Sequence, residues 1–236
     1  MTNAPTEQHD TAQQDAEVHL HEERTEPLRL TVVSDFICPW CYVGLTEIER
    51  LYRHWDIELD WAPYFLDPSI PPEGRARAPQ APDAPETPVE ARGKRLGLDF
   101  RRGRTFTPHT ILALQASEFA RGTGTTEQIL DYHRALFRAY FTDHEDLMDV
   151  DVLVRHAEAC GLDGAELRAG LANGTFLDDT NEAIEHAYAI GVQAIPTFIV
   201  DEKYAIVGAQ EYEALERVME NLHANRRAMP LPDPHA

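Results

Sequence analysis

Two cysteines lie three positions apart, where a strand-like segment gives way to a helix-like one. Residues 28–35 (LRLTVVSD) are apolar and partly β-branched without a helical period, which predicts a buried strand. After the cysteines, Leu45, Ile48 and Leu51 recur at helical spacing, and residues 57–65 (IELDWAPYF) alternate as a second strand would. This order predicts a βαβ unit with parallel strands and with the cysteines at its first junction.

The rest of the chain predicts a long helical insertion, a hairpin and a last helix. Thr107 and Pro108 are typical of a helix start, with the threonine as N-cap. Helices are predicted over residues 107–121, 126–141, 150–160, 164–172 and 178–190. The predicted hairpin covers residues 197–200 and 204–208, and the last helix is marked by Leu215, Val218, Met219 and Leu222. The fold class is therefore α/β, a βαβ–ββα order with a mixed four-stranded sheet and a large all-helical insertion.

Composition divides the chain into regions. The first 27 residues contain seven acids and one arginine and show no apolar period, which predicts disorder. Seven of the sixteen prolines fall between residues 67 and 88, which predicts a loop. The regions are an acidic tail (1–27), an α/β domain in two segments (28–66 and 191–228), a proline-rich loop (67–91), a helical insertion domain (92–190) and a C-terminal tail (229–236).

The formal net charge of −20 argues against binding to nucleic acid and against docking on an anionic membrane. No apolar run is long enough to cross a bilayer, and the N-terminus lacks the pattern of a secretory signal. Three cysteines in 236 residues are too few for an extracellular disulfide scaffold. We therefore expect a cytoplasmic protein, in which a close cysteine pair is more often catalytic or metal-binding than structural.

Basic residues concentrate in one part of this acidic chain. Arg75 and Arg77 lie in the proline-rich loop, and the stretch from Arg92 to Arg104 adds Lys94, Arg95, Arg101 and Arg102. Two interpretations stay open. The favoured one is ion pairing with the acidic remainder of the chain, and the other is selection of acidic substrates.

The position of the cysteine pair predicts one reactive thiol. Cys38 is expected at the N-cap of the helix, with Pro39 in the first helical position. Backbone N–H groups and the positive end of the helix dipole would then lower the pKa of Cys38. Cys38, nearer the exposed helix end, would attack a partner, and Cys41 would resolve the mixed disulfide. Trp40 either presents an exposed aromatic ring to the substrate or packs on the surface of its own domain.

A metal site is the less favoured interpretation of the pair. A structural zinc needs four ligands, and the pair supplies two without a second pair at standard spacing. No metal is predicted, and His9, His19 and His21 are assigned to a solvated tail. Cys160 lies on the apolar face of its predicted helix and is expected to be a buried core residue.

Two stretches, SDFICPWCYVG at 34–44 and GVQAIPTFIVDEKYAIVGAQ at 191–210, resemble the thioredoxin fold with a helical insertion found in the DsbA family. The similarity is greatest to the FrnE-like branch, which is related to 2-hydroxychromene-2-carboxylate isomerases. The resemblance implies catalytic roles for Cys38 and Cys41 and a cis bond before Pro196, close to the cysteines. It also implies that Ile195 and Pro196, with Pro39 and Trp40, contact an extended substrate.

The chain departs from this family in the groups around the cysteines. Val32 stands where many thioredoxin-like proteins carry a buried acid, and Trp40 stands where DsbA itself has histidine. Asp35 lies nearer the pair, and a solvent-facing position would leave it no role in proton transfer. His109 is interpreted as an ordinary helix-end histidine, with a position facing the active site as the alternative.

The sequence thus predicts a thiol–disulfide oxidoreductase or isomerase that acts on proteins or peptides with thiols or disulfides. Its only expected redox group is a Cys38–Cys41 disulfide, with glutathione as a candidate reductant and partner. One alternative is a glutathione-dependent isomerase of small aromatic substrates, although that branch generally has serine at the position of Cys38. The other alternative is a redox-sensing binding module.

Overall fold

The predicted strand before the cysteines forms β1, an inner strand of a four-stranded sheet, in the computed structural model of the chain. The structure describes residues 25–232, so most of the predicted acidic tail with its histidines (1–24) and the last four residues (233–236) lie outside the described residues. The strands are β1 (Leu28–Ser34), β2 (Ile57–Pro63), β3 (Arg75–Ala76), β4 (Phe106–Thr107), β5 (Thr197–Val200) and β6 (Tyr204–Val207). The helices are α1 (Pro39–His54), α2 (Pro88–Arg95), α3 (Ile111–Thr123), α4 (Thr126–Phe141), α5 (Val150–Ala159), α6 (Gly164–Asn173), α7 (Leu177–Ala189) and α8 (Tyr212–Asn221).

The sheet has the strand order β2-β1-β5-β6. β1 and β2 run parallel in a register that begins at Leu28 opposite Ile57, and β5 is antiparallel to both β1 and β6. β1 is apolar because it is covered on both faces, and Leu30 and Val33, which point to opposite faces, are both fully buried. The predicted mixed four-stranded sheet is therefore confirmed.

α1 packs closely against the loop that leads into β5, and Gly44 permits this approach. A Cβ atom on Gly44 would lie 3.0 Å from Cγ of Pro196 and 3.1 Å from Cζ of Phe198. Phe198 is itself fully buried on β5. The missing side chain of Gly44 thus lets the helix that begins at the cysteines contact the Ile195–Pro196 loop.

A cluster of aromatic rings joins the helical insertion to α1. Tyr42, the residue after the second cysteine, stacks on Phe137 with centroids 5.3 Å apart and an interplanar angle of 9°. Phe141 lies parallel to the same tyrosine at 6.1 Å, and Phe100 meets it edge-on at 5.6 Å. The insertion and the α/β domain share one hydrophobic core through these rings.

One buried ion pair holds the basic stretch against the α/β domain, and more exposed pairs join it to nearby acids. Arg92 lies 2.5 Å from the Glu47 carboxylate, and both side chains are buried. Arg92 also donates to the carbonyl of Gln210 at 3.2 Å and pairs with Glu211. The further pairs of this stretch are Lys94–Glu86, Arg95–Glu211, Arg101–Asp99 and Arg102–Glu90. Ion pairing with the acidic remainder is therefore confirmed for these residues.

Arg102 organises the proline-rich loop. Its guanidinium donates to the carbonyls of Pro82, at 3.0 Å, Ala84 and Pro85, and it pairs with Glu90 at 3.1 Å. Prolines lack an N–H group, so these carbonyls need a donor from outside the loop, and a guanidinium supplies five. The hydrogen bond from Arg102 and the capping contact with Thr87 lower the pKa of Glu90 to about 2.

The start of the insertion differs from the prediction. The helix expected at residue 107 begins at Ile111, because Thr107 belongs to β4, which pairs with β3 with Thr107 opposite Arg75. The predicted proline-rich loop also contains β3 and the first residues of α2. Thr87 caps α2, and its side chain and Glu90 form a reciprocal capping box. The predicted boundary between the proline-rich loop and the helical insertion, at residues 91 and 92, therefore falls inside α2.

Two further predictions need correction. Cys160 is half-buried and caps the end of α5, so the expectation of a buried core cysteine is wrong. The region predicted as a C-terminal tail is partly attached, because the Leu231 N–H donates to the Arg53 carbonyl at 2.9 Å. The other helices of the insertion and both strands of the hairpin start and end within about one residue of their predicted limits. Within residues 25–232, no helix has the length and apolar character needed to cross a membrane.

Replacing Gly44 with valine tests the close contact between α1 and the Pro196 loop. We expect Gly44→Val to lower the free energy of unfolding by about 2 kcal/mol, since the added methyl groups overpack a rigid contact. The measurement is urea unfolding followed by circular dichroism.

The matched control for this prediction is Gly122→Val, because no atom lies within 4 Å of a Cβ at this position of α3. We expect this control to change stability by less than about 0.5 kcal/mol. Equal losses in the two variants would refute the role assigned to Gly44.

Candidate active site

The cysteine pair lies where β1 ends and α1 begins, as predicted. Cys38 is the N-cap, with extended backbone (φ −87°, ψ 112°), and Pro39 opens the helix. The Cys38 carbonyl accepts from the N–H groups of Cys41, at 3.1 Å, and Tyr42, at 3.4 Å. Cys38 is nevertheless only 5% exposed, so the reactive thiol is more enclosed than a free helix end would leave it.

The two thiols differ in acidity, and the cause is their contact with each other. A hydrogen bond from the Cys41 thiol, helped by the Cys41 backbone N–H, lowers the pKa of Cys38 despite its burial. Burial, together with the Cys38 sulfur, raises the pKa of Cys41 well above its usual value. The pair therefore keeps its negative charge on Cys38 and its proton on Cys41.

The loop before β5 meets the first cysteine directly. The Ile195–Pro196 peptide bond is cis, which confirms the expectation from the family resemblance. In the protonated form, the Cys38 thiol donates to the Ile195 carbonyl with a sulfur–oxygen distance of 3.6 Å. The loop is held by the Thr197 hydroxyl, which donates to the Ala194 carbonyl at 2.7 Å, and by Gly208, whose N–H donates to the Pro196 carbonyl at 2.8 Å.

Trp40 is 37% exposed in the first turn of α1, so part of its ring is available for contact with a substrate. Leu66 and Tyr188 are also large apolar residues that are 40% exposed. Both belong to segments next to the cysteine loop, since the Leu66 N–H binds Asp35 and the Tyr188 hydroxyl donates to the Phe65 carbonyl at 2.5 Å. This part of the surface offers apolar contacts close to the thiols.

Asp35 is buried, and the expectation of a solvent-facing carboxylate is wrong. It is 1% exposed and accepts hydrogen bonds from the N–H groups of Leu66, at 2.8 Å, and Ile37, at 3.4 Å. Burial raises the pKa of Asp35 to about 6, although these N–H groups and the side chain of Thr110 favour the charged form. When charged, Asp35 raises the pKa of both cysteines.

The strand pattern contained the signal for this burial. Val33 lies two residues before Asp35, on the same face of the chain by strand alternation, and is fully buried. No sequence signal identified Leu66 or Thr110 as partners, because they come from a loop and from the residue before α3.

The neighbouring histidine takes no part in these contacts. His109 precedes α3 and is half-buried, with its ring 4.7 Å from the ring of Phe65. The structure therefore brings Thr110 to the Asp35 carboxyl and places His109 against an aromatic side chain. Among residues 25–232, no three His, Cys, Asp or Glu side chains form a group that could hold a metal ion.

The chain is similar to known proteins over most of its length. The family model for the DSBA-like thioredoxin domain matches residues 29–220. The protein YwbO of Bacillus subtilis is 29% identical over 195 residues, which cover 81% of this chain and 96% of YwbO.

Solved structures share the fold. A structure from Streptomyces coelicolor, described as a "probable DsbA oxidoreductase", superposes with a TM-score of 0.69 at 24% identity, covering 89% of this chain and 95% of its own. A 2-hydroxychromene-2-carboxylate isomerase superposes with a TM-score of 0.63 at 13% identity, covering 82% and 95%. At identities of 24% and 13%, these structures show that the fold is shared. The family model matches most of the sequence, and this match shows the family. The chain therefore belongs to the DsbA-like family of thiol–disulfide oxidoreductases, through its DSBA-like thioredoxin domain.

Proposed function

We propose that the protein exchanges disulfides with protein or peptide substrates, with Cys38 as the attacking thiolate and Cys41 as the resolving thiol. The observation that carries this proposal is geometric: Cys38 is the N-cap of α1, Cys41 lies in the first turn, and the Cys38 sulfur is 3.6 Å from the Ile195 carbonyl oxygen of the cis-proline loop. The pKa, lowered at Cys38 and raised at Cys41, supports the same assignment. Thiol–disulfide exchange needs a thiolate that forms readily at the first sulfur, and Cys38 meets this requirement.

In the oxidising direction, the reaction starts from a Cys38–Cys41 disulfide. A substrate thiolate attacks the Cys38 sulfur, and the Cys38–Cys41 bond breaks as the mixed disulfide forms. Cys41 leaves with the electron pair and takes up a proton. A second substrate thiolate then attacks the substrate sulfur of the mixed disulfide, and Cys38 leaves as a thiolate. The substrate loses two electrons and the protein gains two, and the reverse sequence reduces a substrate disulfide.

We propose that Asp35 exchanges the proton that Cys41 gains when it is released and loses when it attacks. Its carboxyl is close enough for its charge to raise the pKa of both thiols, and it is almost inaccessible to solvent. With a pKa of about 6 it can exchange a proton near neutral pH, when Cys41 is released or attacks. It would thus fill the role that an acid at position 32 has in many thioredoxin-like proteins.

Four residues are proposed to contact the substrate. Trp40 supplies an exposed aromatic surface beside Pro39, and the loop at Ile195 and Pro196 touches the Cys38 sulfur through a backbone carbonyl. An extended peptide could pair with this backbone as an added strand does. Glutathione as reductant and a cytoplasmic location stay predictions from the sequence.

Replacing Cys38 with serine tests the nucleophile. We expect Cys38→Ser to abolish insulin disulfide reduction and the refolding of scrambled ribonuclease, because the variant lacks the attacking thiolate. Cys41→Ser should instead accumulate a mixed disulfide with the substrate, visible on a non-reducing gel, because the resolving thiol is missing.

The control is Cys160→Ser, which removes a half-buried thiol at the end of α5 and should leave turnover unchanged. Unchanged turnover in Cys38→Ser would refute the assignment. Turnover of a small aromatic substrate with glutathione that survives in Cys41→Ser would favour the isomerase alternative. Partner binding that follows redox state without catalytic exchange would favour a sensing module.

Replacing Asp35 with asparagine tests the buried acid. In the folded wild type, burial raises the pKa of Asp35 from 3.8 to about 6. As the pH rises between these two values, the folded state must either keep a proton that the unfolded state has lost or bury a charge, and its stability falls. Below pH 3.8 this cost is absent, and above pH 6 it is complete, on the order of 3 kcal/mol. We therefore expect Asp35→Asn to gain stability relative to wild type between pH 4 and pH 7, measured by urea unfolding.

The same variant has a chemical readout at Cys38. Without the Asp35 charge, the pKa of Cys38 should fall further, so the pH midpoint of its reaction with iodoacetamide should move down. A midpoint identical to that of wild type would show that Asp35 does not act on the thiol.

A further inference from the structure

Arg104 differs from the other arginines that are buried or half-buried among residues 25–232, which all form ion pairs. It is half-buried, yet it forms no ion pair with a carboxylate of residues 25–232, although the chain contains 41 acids against 21 bases. Its Nε atom is buried without a hydrogen-bond partner in the part of the chain that the structure describes. Burial lowers the pKa of Arg104, with a smaller contribution from the charge of Arg77, although the contact with Tyr140 acts in the opposite direction. A partly buried cation without a counter-charge is unfavourable unless something else supplies one.

The guanidinium is held in a defined orientation at the wall of a cavity. Its Cζ atom lies 4.3 Å from the ring centroid of Tyr140 and 4.9 Å from that of Phe141. Stacking fixes the plane of the group, and a hydrogen bond with the Tyr140 side chain holds one part of its edge, so only the remaining N–H groups are open to a ligand. The cavity has a volume of about 280 Å³, and its polar lining includes Thr105 and His144.

Two acids also line this cavity, but both are engaged elsewhere. Glu145 binds Arg155 and His156, each at 2.7 Å. Asp146 accepts the backbone N–H of Met148 at 2.9 Å. Neither carboxylate forms an ion pair with Arg104, so its guanidinium has no direct carboxylate partner at the cavity wall.

A chain of contacts links the cavity wall to the segment that carries the thiols. Arg104 stacks on Phe141, and Phe141 stacks on Tyr42, the residue that follows Cys41. The chain also runs from Arg104 through β4 to Thr110, whose side chain meets Asp35. Two aromatic rings and a short segment therefore connect the unmatched cation to the active site.

We infer that Arg104 binds a carboxylate side chain of the polypeptide whose cysteine reacts at Cys38, an inference that rests on the proposed function. A guanidinium matches a carboxylate with two parallel hydrogen bonds, and both groups become neutralised at the cavity wall. The net charge of −20 repels acidic polypeptides as a whole, so a cation connected to the active site through Phe141 and Tyr42 would select those with an acid a few residues from the reactive cysteine.

The test uses two peptides that differ only in Glu or Gln three to six residues from a disulfide-bonded cysteine. We expect wild type to reduce the Glu peptide about tenfold faster at low ionic strength, the value of one charge-assisted hydrogen bond. Arg104→Gln should remove this preference, and Arg104→Lys should keep part of it. The control is Arg217→Gln, which removes the same charge from an exposed position of α8 and should keep the full preference.

A binding measurement separates this inference from the proposed function. Unreactive forms of both peptides, with serine for cysteine, are titrated by fluorescence anisotropy. If the Glu peptide binds more tightly, Arg104→Gln removes this preference, and the protein catalyses no exchange, the carboxylate site is supported and the proposed function is rejected. Exchange without preference in wild type, or a preference retained in Arg104→Gln, would overturn the site and keep the function. Absence of binding for both peptides would also overturn the site.

Discussion

One buried carboxylate holds together the segments that form the active site. Asp35 follows β1 directly, accepts the N–H of Leu66 from the loop after β2, and lies beside Thr110 at the start of the helical insertion. The geometry of the cysteine pair depends on this junction, because the Asp35 carbonyl also accepts the N–H of Cys38 at 3.1 Å. A charged group in this position weakens the fold and raises the pKa of the thiols. Stability and reactivity are therefore linked at a single residue.

The insertion supports the catalytic helix rather than standing apart from it. Tyr42 follows the second cysteine and stacks on Phe137 of α4, so the first turn of α1 is fixed from the side of the insertion. On a later turn, Glu47 pairs with Arg92 of α2. A buried pair of this kind contributes little net stability, but it defines how the two helices meet, since either partner alone would leave an uncompensated charge.

Elements with a clear period were predictable from the sequence, and so was the reactive pair. The apolar run of β1 and the apolar face of α4 gave limits correct to about one residue, because those residues are buried by regular packing. Thr107 was misassigned because its backbone pairs with Arg75, more than thirty residues away, and no local pattern reveals that contact. The sequence contains the Thr87–Glu90 pattern of a capping box, but the many prolines around it favoured a loop, so α2 was not predicted. The burial of Asp35 follows from its position directly after β1, a strand that is covered on both faces.

The way Arg102 holds the proline-rich loop has a consequence for divergence between related chains. The guanidinium contacts the carbonyls of Pro82, Ala84 and Pro85, and a main-chain carbonyl is the same whatever side chain its residue carries. The loop can therefore change most of its side chains while its path is kept by one residue outside it. The side chains of this loop can in this way vary without changing its path, and the residue on which that path depends lies elsewhere in the sequence.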